Sequence, residues 1–280
     1  MSITPFSSAS GGFTNISSFP DIPPNSAAMR AQMEIPSAEL GNYINGTLIP
    51  AIADISGWTL SLATFSYTSA DAPNFIMASS IDVTANFYPA VKVRLTQDAI
   101  TKYFIVMASL GTAITLYGGT DYTLTSSPIT NVSFSNAKAP FGFPLDPNKW
   151  SVILQVNTNT SLANLVAGTL TTTGLSLPVP IGGWNLSFKA SFQTIQSIGT
   201  AELIMALSSS VSSITDLDLT ASIDIAATTG GFLFANISIS KVLTSKTTYT
   251  LIVKSVAATT ATYIRGDNSQ TILKAVCAYL

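Results

Sequence analysis

The 280-residue chain contains no histidine and only one cysteine, Cys277. The lack of histidine removes the commonest general base and the commonest metal ligand, so Ser-His-Asp and Cys-His catalysis are excluded. A single cysteine cannot form a disulfide within the chain. Because Cys277 lies in an apolar segment, we expect it to be a small buried hydrophobic side chain rather than a reactive thiol.

Charge is also scarce. Charged residues make up 9% of the chain, against about 25% in an ordinary soluble protein. The net charge is -2 and basic residues do not cluster, so we expect no nucleic-acid binding, which depends on phosphate neutralisation. With 47% apolar residues, the chain can form a core. Its surface must be uncharged and polar, or covered by other chains, which favours permanent assembly.

Long apolar runs are missing as well. No stretch approaches about 18 consecutive apolar residues, so the sequence predicts no membrane insertion. Residues 1–5 lack the basic and apolar regions of a secretory signal. We therefore expect a chain made in a cytoplasm.

What the sequence does contain predicts four segments. Residues 1–28, rich in Ser, Pro, Gly and Asn, predict an extended arm lying on a partner; the alternative is a floppy terminus. Residues 29–57 predict a connector with a short helix that Ser37 would cap. Residues 58–150 predict a β structural module, and residues 151–280 predict a C-terminal β-sandwich.

Period-two alternation of apolar and polar residues predicts an all-β fold. In the module it indicates strands at 58–62, 91–97, 102–108 and 113–117. The third of these is apolar on both faces and should be central, whereas 91–97 should be wet on one side. In the C-terminal segment, strands are predicted at 152–156, 186–192, 201–207, 217–225, 231–240, 248–256 and 272–280. Together they predict a small β-barrel or sandwich, followed by an antiparallel, jelly-roll-like sandwich.

The last predicted strand, 272–280, is apolar on both faces to the end of the chain. Free termini usually fray and are polar. We therefore expect this strand to be clamped, either in the middle of the sandwich or against another subunit.

Several motifs in order resemble a β module of bacteriophage and prophage virion proteins, such as tail-fibre-like and other appendage proteins. The motifs are Lys92-Val-Arg-Leu-Thr-Gln97, Lys102-Tyr-Phe-Ile-Val-Met107, Leu116-Tyr-Gly-Gly-Thr-Asp-Tyr122 and Pro140-Phe-Gly-Phe-Pro-Leu-Asp-Pro147, followed by Trp150. The resemblance covers roughly residues 58–150; residues 249–280 are similar in style to fibre or head-decoration tips. It implies a structural virion protein with no enzyme activity and no cofactor, and a homotrimer.

Three functional hypotheses follow. The leading one is a trimeric tail fibre or receptor-binding appendage, with residues 1–28 docked on other virion structural proteins and the C-terminal sandwich bound to a host cell-surface glycan or protein. The alternative is a capsid decoration or head-fibre protein. The third is a polysaccharide depolymerase, which needs two carboxylates across a sugar; the sequence shows no paired-carboxylate pattern and no β-helix repeat.

Two groups of aspartates are candidates for chemistry. Asp216 and Asp218 would be neighbours on one face of a predicted strand and could share a Ca²⁺, whereas Asp224 is too far along that strand. A solvated outer face is the simpler interpretation. The remaining aspartates considered have no spacing that forces two of them together: Asp71, Asp82, Asp98 and Asp121.

Glycine pairs and aromatic residues complete the candidates. Gly118-Gly119 and Gly182-Gly183 predict turns, because neither pair precedes a helix or carries a Walker lysine. Trp184 shares a face with two apolar neighbours and is predicted to be core rather than a sugar-stacking platform. Tyr117, Tyr122 and Tyr263 lie near turns and are weak candidates for surface contacts. The sequence thus predicts no catalytic, cofactor or metal residues, and leaves the ligand-binding residues open.

Overall fold

The structure is a computed structural model that describes residues 41–42, 44, 56–196, 201–225, 231–267 and 270–280. The chain divides into two compact units, Met1–Leu60 and Ser61–Leu280. The predicted arm at 1–28 and the cap at Ser37 lie outside the described residues, so both stay predictions. In the first unit, the described residues include a two-residue strand, β1 (Thr59–Leu60).

The second unit is built from antiparallel strands, which confirms the all-β prediction. Its first sheet has the neighbour order β7-β4-β5-β6-β3-β2 within this unit. The central position predicted for 102–108 is confirmed, because it lies within β5, between β4 and β6. The strands of this sheet are β2 (Phe65–Asp71), β3 (Asn74–Ser79), β4 (Lys92–Gln97), β5 (Ile100–Leu110), β6 (Ala113–Tyr117) and β7 (Thr130–Ser135).

One face of this sheet carries an apolar core. Alternate residues of its strands, including Phe75, Leu95, Phe104 and Leu116, form one buried cluster. Ring pairs such as Phe75 and Phe104, with centroids 6.2 Å apart and nearly perpendicular, add edge-to-face packing. The opposite face of the sheet is therefore available to pack against the rest of the second unit.

The C-terminal residues form two further sheets. One has the order β10-β15-β12-β13; the other has the order β8-β17-β11-β16-β9, with β14 paired along β11. Buried side chains from both sheets, such as Leu186, Leu203, Leu251 and Leu273, supply the apolar interior. The strands are β8 (Ser151–Val156), β9 (Thr160–Leu162), β10 (Leu170–Val179), β11 (Gly182–Gln196), β12 (Ala201–Ser208), β13 (Thr220–Ile225), β14 (Gly231–Leu243), β15 (Thr247–Ser255), β16 (Thr259–Ile264) and β17 (Thr271–Cys277).

The last strand lies inside its sheet and not at an edge. β17 pairs with β8 on one side and with β11 on the other. Leu273, Ala275 and Cys277 are buried. Of the two expected positions, the structure therefore shows the one within the sandwich; beyond the strand, Ala278 is exposed and Leu280 is half-buried. The strand ends three residues earlier than predicted.

Two predicted strands differ from the structure. The strand at 58–62 shrinks to β1, and Leu62, predicted to be half-buried, is 96% exposed. The amide of Ser61 still donates to the carbonyl of Val132 (2.9 Å), but residues 61–64 then leave the strand.

The start of the strand predicted at 217–225 is wrong. Leu217–Leu219 form a 3-10 helix, and β13 begins only at Thr220. The amide of Leu219 and the hydroxyl of Thr220 both donate to the carbonyl of Asp216, each over 3.1 Å. Such local bonds compete with a strand ladder.

No helix among the described residues is long and apolar enough to cross a membrane.

Candidate functional site

A cross-strand row of the first sheet lies at its contact with the C-terminal sandwich. In antiparallel strands, residues that are directly opposite share a face. Five residues are opposite one another from β4 across to β2, on the side away from the apolar cluster. We call them the docking row: Lys92, Ile105, Tyr117, Asn74 and Asp71.

Aromatic rings join the row to the sandwich. Tyr117 and Trp184 pack edge to face with ring centroids 5.1 Å apart, and Trp150 lies 6.0 Å from Tyr117. Phe143 stacks on Trp150 at 5.1 Å and 6°. Trp150, Trp184 and Tyr117 are fully buried. We use the name seam for the contact that the docking row makes with these rings and with the end of the chain. Trp184 is a core residue, as predicted.

Glycines allow the close approach at the seam. Gly182 and Gly183 are the first residues of β11, so the prediction of a turn is wrong for this pair. A Cβ on Gly182 would lie 2.5 Å from the sulfur of Met107, and one on Gly183 would lie 2.8 Å from the ring of Tyr279. A larger residue at either position would therefore have to displace the side chain of Met107 or Tyr279. Gly118-Gly119 lies at a turn as predicted, with φ +64° at Gly119.

Backbone and lysine hydrogen bonds close the seam. The amide of Cys277 donates to the carbonyl of Trp150 (2.9 Å). The ammonium of Lys92 donates to the carbonyls of Ala90 (3.1 Å) and Tyr279. Burial lowers the pKa of Lys92. Lys92 is only 4% exposed, so the expectation of a wet strand face at 91–97 is wrong at this position.

Three buried polar atoms along the seam have no hydrogen-bond partner among the described residues. They are Asn74 Oδ1, Tyr117 Oη and Trp184 Nε1. An unpaired buried polar atom costs stability. Burial also raises the pKa of Tyr117. Tyr117 is therefore an interior residue, not the surface contact that its position near a turn predicted.

A groove opens at the Asp71 end of the docking row. Its volume is about 250 Å³, and side chains of β2, β3 and β6 line it together with Ile181, Ser245 and Lys246. Lys246 pairs with Asp71 over 2.7 Å. Sequence reasoning missed Asn74 and Lys246, because nothing in their local pattern places them together.

The aspartates predicted as candidates do not converge. Asp216, expected on a strand face, instead precedes the 3-10 helix and pairs with Lys241. Asp218 lies within that helix, and Asp224 lies on β13 opposite Glu202. Asp216 and Asp218 thus do not share a strand face as a calcium site would require. Among the described residues, no group of three His, Cys, Asp or Glu side chains is placed to hold a metal.

The scattered aspartates are held locally. Asp82 accepts from the amide of Thr84 (2.9 Å), which lowers the pKa of its carboxyl. Asp121 pairs with Lys149, and this hydrogen bond lowers the pKa of Asp121. Asp98 lies between β4 and β5 with φ +53°.

The other two candidate tyrosines have different surroundings. Tyr122 packs against Tyr103 and Trp150, with ring centroids 5.8 and 6.4 Å apart. It belongs to the aromatic packing beside the seam. Tyr263 lies on β16 and is 36% exposed.

Cys277 is buried at the seam, as its apolar setting predicted. Burial raises the pKa of its thiol from 9.0 to about 11. Well below pH 9 both the folded and the unfolded state keep the thiol proton. Between pH 9 and 11 the unfolded state loses the thiol proton first, so stability falls as pH rises; burial of Tyr117 acts in the same direction.

The burial of Cys277 can be tested by alkylation. We expect no alkylation by iodoacetamide at pH 8 without denaturant, and rapid alkylation in urea, measured by mass spectrometry. Alkylation at equal rates in both conditions would contradict the burial.

Comparisons with known proteins give only weak likenesses. No family model matches the chain, and no curated protein matches it by sequence. Among solved structures, it is similar to dimeric latent PorU from Porphyromonas gingivalis (TM-score 0.33, 9% identity, 80% of this chain and 25% of that chain). It is also similar to the VP2 subviral particle of infectious bursal disease virus (0.26, 13%, 76% and 62%) and to the Gt strain of that virus (0.28, 12%, 78% and 61%).

The chain thus spans about a quarter of PorU and about three fifths of the viral proteins. Its structural neighbours include β-rich proteins of viral particles, and there is no phage-specific family or sequence match. At these TM-scores, the likenesses carry no argument about function.

Proposed function

We propose that the chain is a non-enzymatic structural protein of a phage virion, and that it forms a trimeric tail fibre or receptor-binding appendage anchored by residues 1–28. The observation that carries the proposal is the seam. Interfaces between domains of one chain are commonly polar and permit relative motion. Here Tyr117, Trp150 and Trp184 are fully buried where the first sheet meets the sandwich, which suits a rigid spacer.

The surface supports assembly. The described residues include large apolar side chains that are at least 77% exposed: Leu62, Leu110, Phe141, Leu217 and Val242. Scattered apolar residues are ordinary on a soluble protein. On a chain with 9% charged residues, however, little charge is available to keep separate copies apart. Neighbouring copies and other virion proteins would cover part of this surface.

A rigid trimer would act through avidity. Three weak sites held on one body raise the effective concentration for the second and third binding events. Flexibility between the first sheet and the sandwich would lower this gain in effective concentration, whereas the seam preserves it.

Light scattering tests the trimer. The purified chain is expected to give the mass of three copies of the 29.3-kDa chain; a monomer at all concentrations would contradict the trimer.

Immunogold labelling of intact particles tests the proposed location. Antibody raised against residues 151–280 is expected to place gold at the tail end of particles released from the host, and antibody absorbed with the purified chain is the control. Gold scattered over the head would instead favour the capsid decoration or head-fibre alternative. Unlabelled particles, in a lysate that contains the chain, would overturn the virion proposal.

A further inference from the structure

We infer that two edge strands of the C-terminal sandwich, β14 and β13, join neighbouring copies of the chain, with β14 of one copy pairing with β13 of the next. The inference rests on the proposed trimer, because it assigns the surface by which the copies meet. A contact between two different edges leads from each copy to the next, and such a contact can close into a ring of three.

β14 is a long edge strand that lacks the usual protection against pairing. Among the described residues it pairs only with β11, and the register does not shift over its 13 residues. It contains no proline, and its one charged side chain, Lys241, pairs with Asp216. Edge strands that stay free are usually short, bulged, charged or interrupted by proline. The outward N–H and C=O groups of β14 are therefore available to a further strand.

β10, the far edge of the sheet that contains β13, has the protection that β14 lacks. Its pairing with β15 shifts register between Thr172 and Ser176, and Gly174 between them has φ +77°. Pro178 removes a backbone donor from the same strand. The contrast between the two edges favours the side of the sandwich that carries β13 and β14 as the side that meets another chain.

The side of the sandwich between β13 and β14 leaves part of its apolar interior uncovered. Ile223 lies opposite the buried Leu203, and Ile237 lies opposite the buried Phe188, so both isoleucines are on inner faces. Each is nevertheless only half-buried, as is Ile239 on the same face of β14. Three such sides around a threefold axis place these side chains in one shared apolar core, which the hydrophobic effect favours.

The charges favour β13 of a second copy as the partner of β14. Glu202 and Asp224 lie directly opposite each other on β12 and β13, and like charges in this arrangement are destabilising. Among the described residues, neither carboxylate has an ion-pair partner. Lys189 is exposed and lies opposite Asn236 of β14, on the outer face of its sheet. Pairing of β14 with β13 brings this lysine towards the two carboxylates, whereas pairing of β14 with a second β14 would leave them without a cation.

Disulfide trapping in the full chain tests the pairing. Ser222→Cys places a thiol on the outer face of β13, and Asn236→Cys, Ser238→Cys or Ser240→Cys places one on the outer face of β14; all four positions are exposed. Within one copy these faces lie on opposite sides of a sandwich whose sheets are about 10 Å apart. A disulfide needs Cβ atoms about 3.5–4.5 Å apart, so it can form only between copies. With oxidised glutathione as the oxidant, we expect a covalent trimer from at least one of the three double variants.

The matched control combines Ser222→Cys with Gln155→Cys, because Gln155 is exposed on β8, away from β14. It should remain free of cross-links on a non-reducing gel. A covalent dimer from Ser238→Cys alone would overturn the inference in favour of a twofold β14 contact. A trimer in light scattering without a cross-link in any double variant would also overturn it, while the proposed trimer would stand.

Charge reversal tests the same contact without cysteines. Lys189→Glu should raise the dissociation constant of the trimer at least tenfold, measured by light scattering over a range of concentrations. Lys274→Glu, on β17 and one strand further from β14, is the control and should change it far less. Adding Glu202→Lys and Asp224→Lys to Lys189→Glu should restore the trimer. Equal effects of the two single reversals, or no restoration, would contradict the inference.

Discussion

Replacing Trp184 with alanine is expected to lower the free energy of unfolding by about 3–5 kcal/mol, the usual cost of removing a large buried aromatic side chain. Trp184 is fully buried and packs edge to face on Tyr117 at 5.1 Å. The substitution removes the ring that links the docking row to β11. Equilibrium unfolding in urea, followed by circular dichroism, measures the loss.

Two control variants separate the contribution of the seam from the general cost of removing an aromatic ring. Tyr263→Ala removes an aromatic ring from a partly exposed position on β16 and should cost far less. Trp184→Phe keeps a ring in the seam and removes the unpartnered Nε1–H, so its cost should fall between the two. Equal losses for Trp184→Ala and Tyr263→Ala would contradict the role given to the seam.

Ending the chain at Gln270 is expected to prevent the sandwich from folding. The truncation removes β17, which pairs with both β8 and β11, and it takes away the buried Leu273, Ala275 and Cys277. Loss of a central strand leaves two unpaired edges and a cavity through the core. Far-UV circular dichroism and protease resistance should both show loss of the C-terminal sheets.

A chain that lacks only Leu280 is the matched control, because it keeps all of β17, and the oxygens of Tyr279, which then form the terminal carboxylate, can still accept from Lys92. It should fold like the full chain. If the chain ending at Gln270 instead kept its sheets and lost only its oligomeric state, β17 would be a clamp between subunits and not a strand of its own sheet.

Strands could be predicted where the pattern of the sequence is local. Residues 113–117 match β6, and 152–156 match β8 to within one residue, because period-two alternation shows directly in the sequence. The strand at 217–225 failed at its start because local hydrogen bonds to Asp216 compete with the ladder. Such competition is decided by geometry that a single sequence does not show.

The sequence of the neighbouring strand, and not that of its own strand, indicates that Lys92 is buried. Residues 102–108 are apolar on both faces, which means that the second face of that sheet is covered. Ile105 lies directly opposite Lys92, so both side chains share the covered face. Alternation along 91–97 alone predicts solvent there, since lysine is usually exposed.

The candidate site could not be predicted because it depends on register. Asp71, Asn74 and Tyr117 become neighbours only when β2, β3 and β6 pair as they do, and a shift by one residue would turn each side chain to the other face. Lys246 is 175 positions from Asp71 in sequence. Likewise, the sequence of Gly182 and Gly183 alone predicts a turn. In the structure these residues lie against Met107 and Tyr279, a contact that depends on the fold and not on the local sequence.

The seam is expected to join the first sheet and the sandwich into one cooperative body. Native-state amide exchange of the full chain in increasing urea tests it most directly, because it reports the opening free energy of each segment. We predict that amides of β5 and β11 share one opening free energy and one denaturant slope. Exchange of β5 through a separate opening of lower free energy, while β11 stays protected, would contradict the claim.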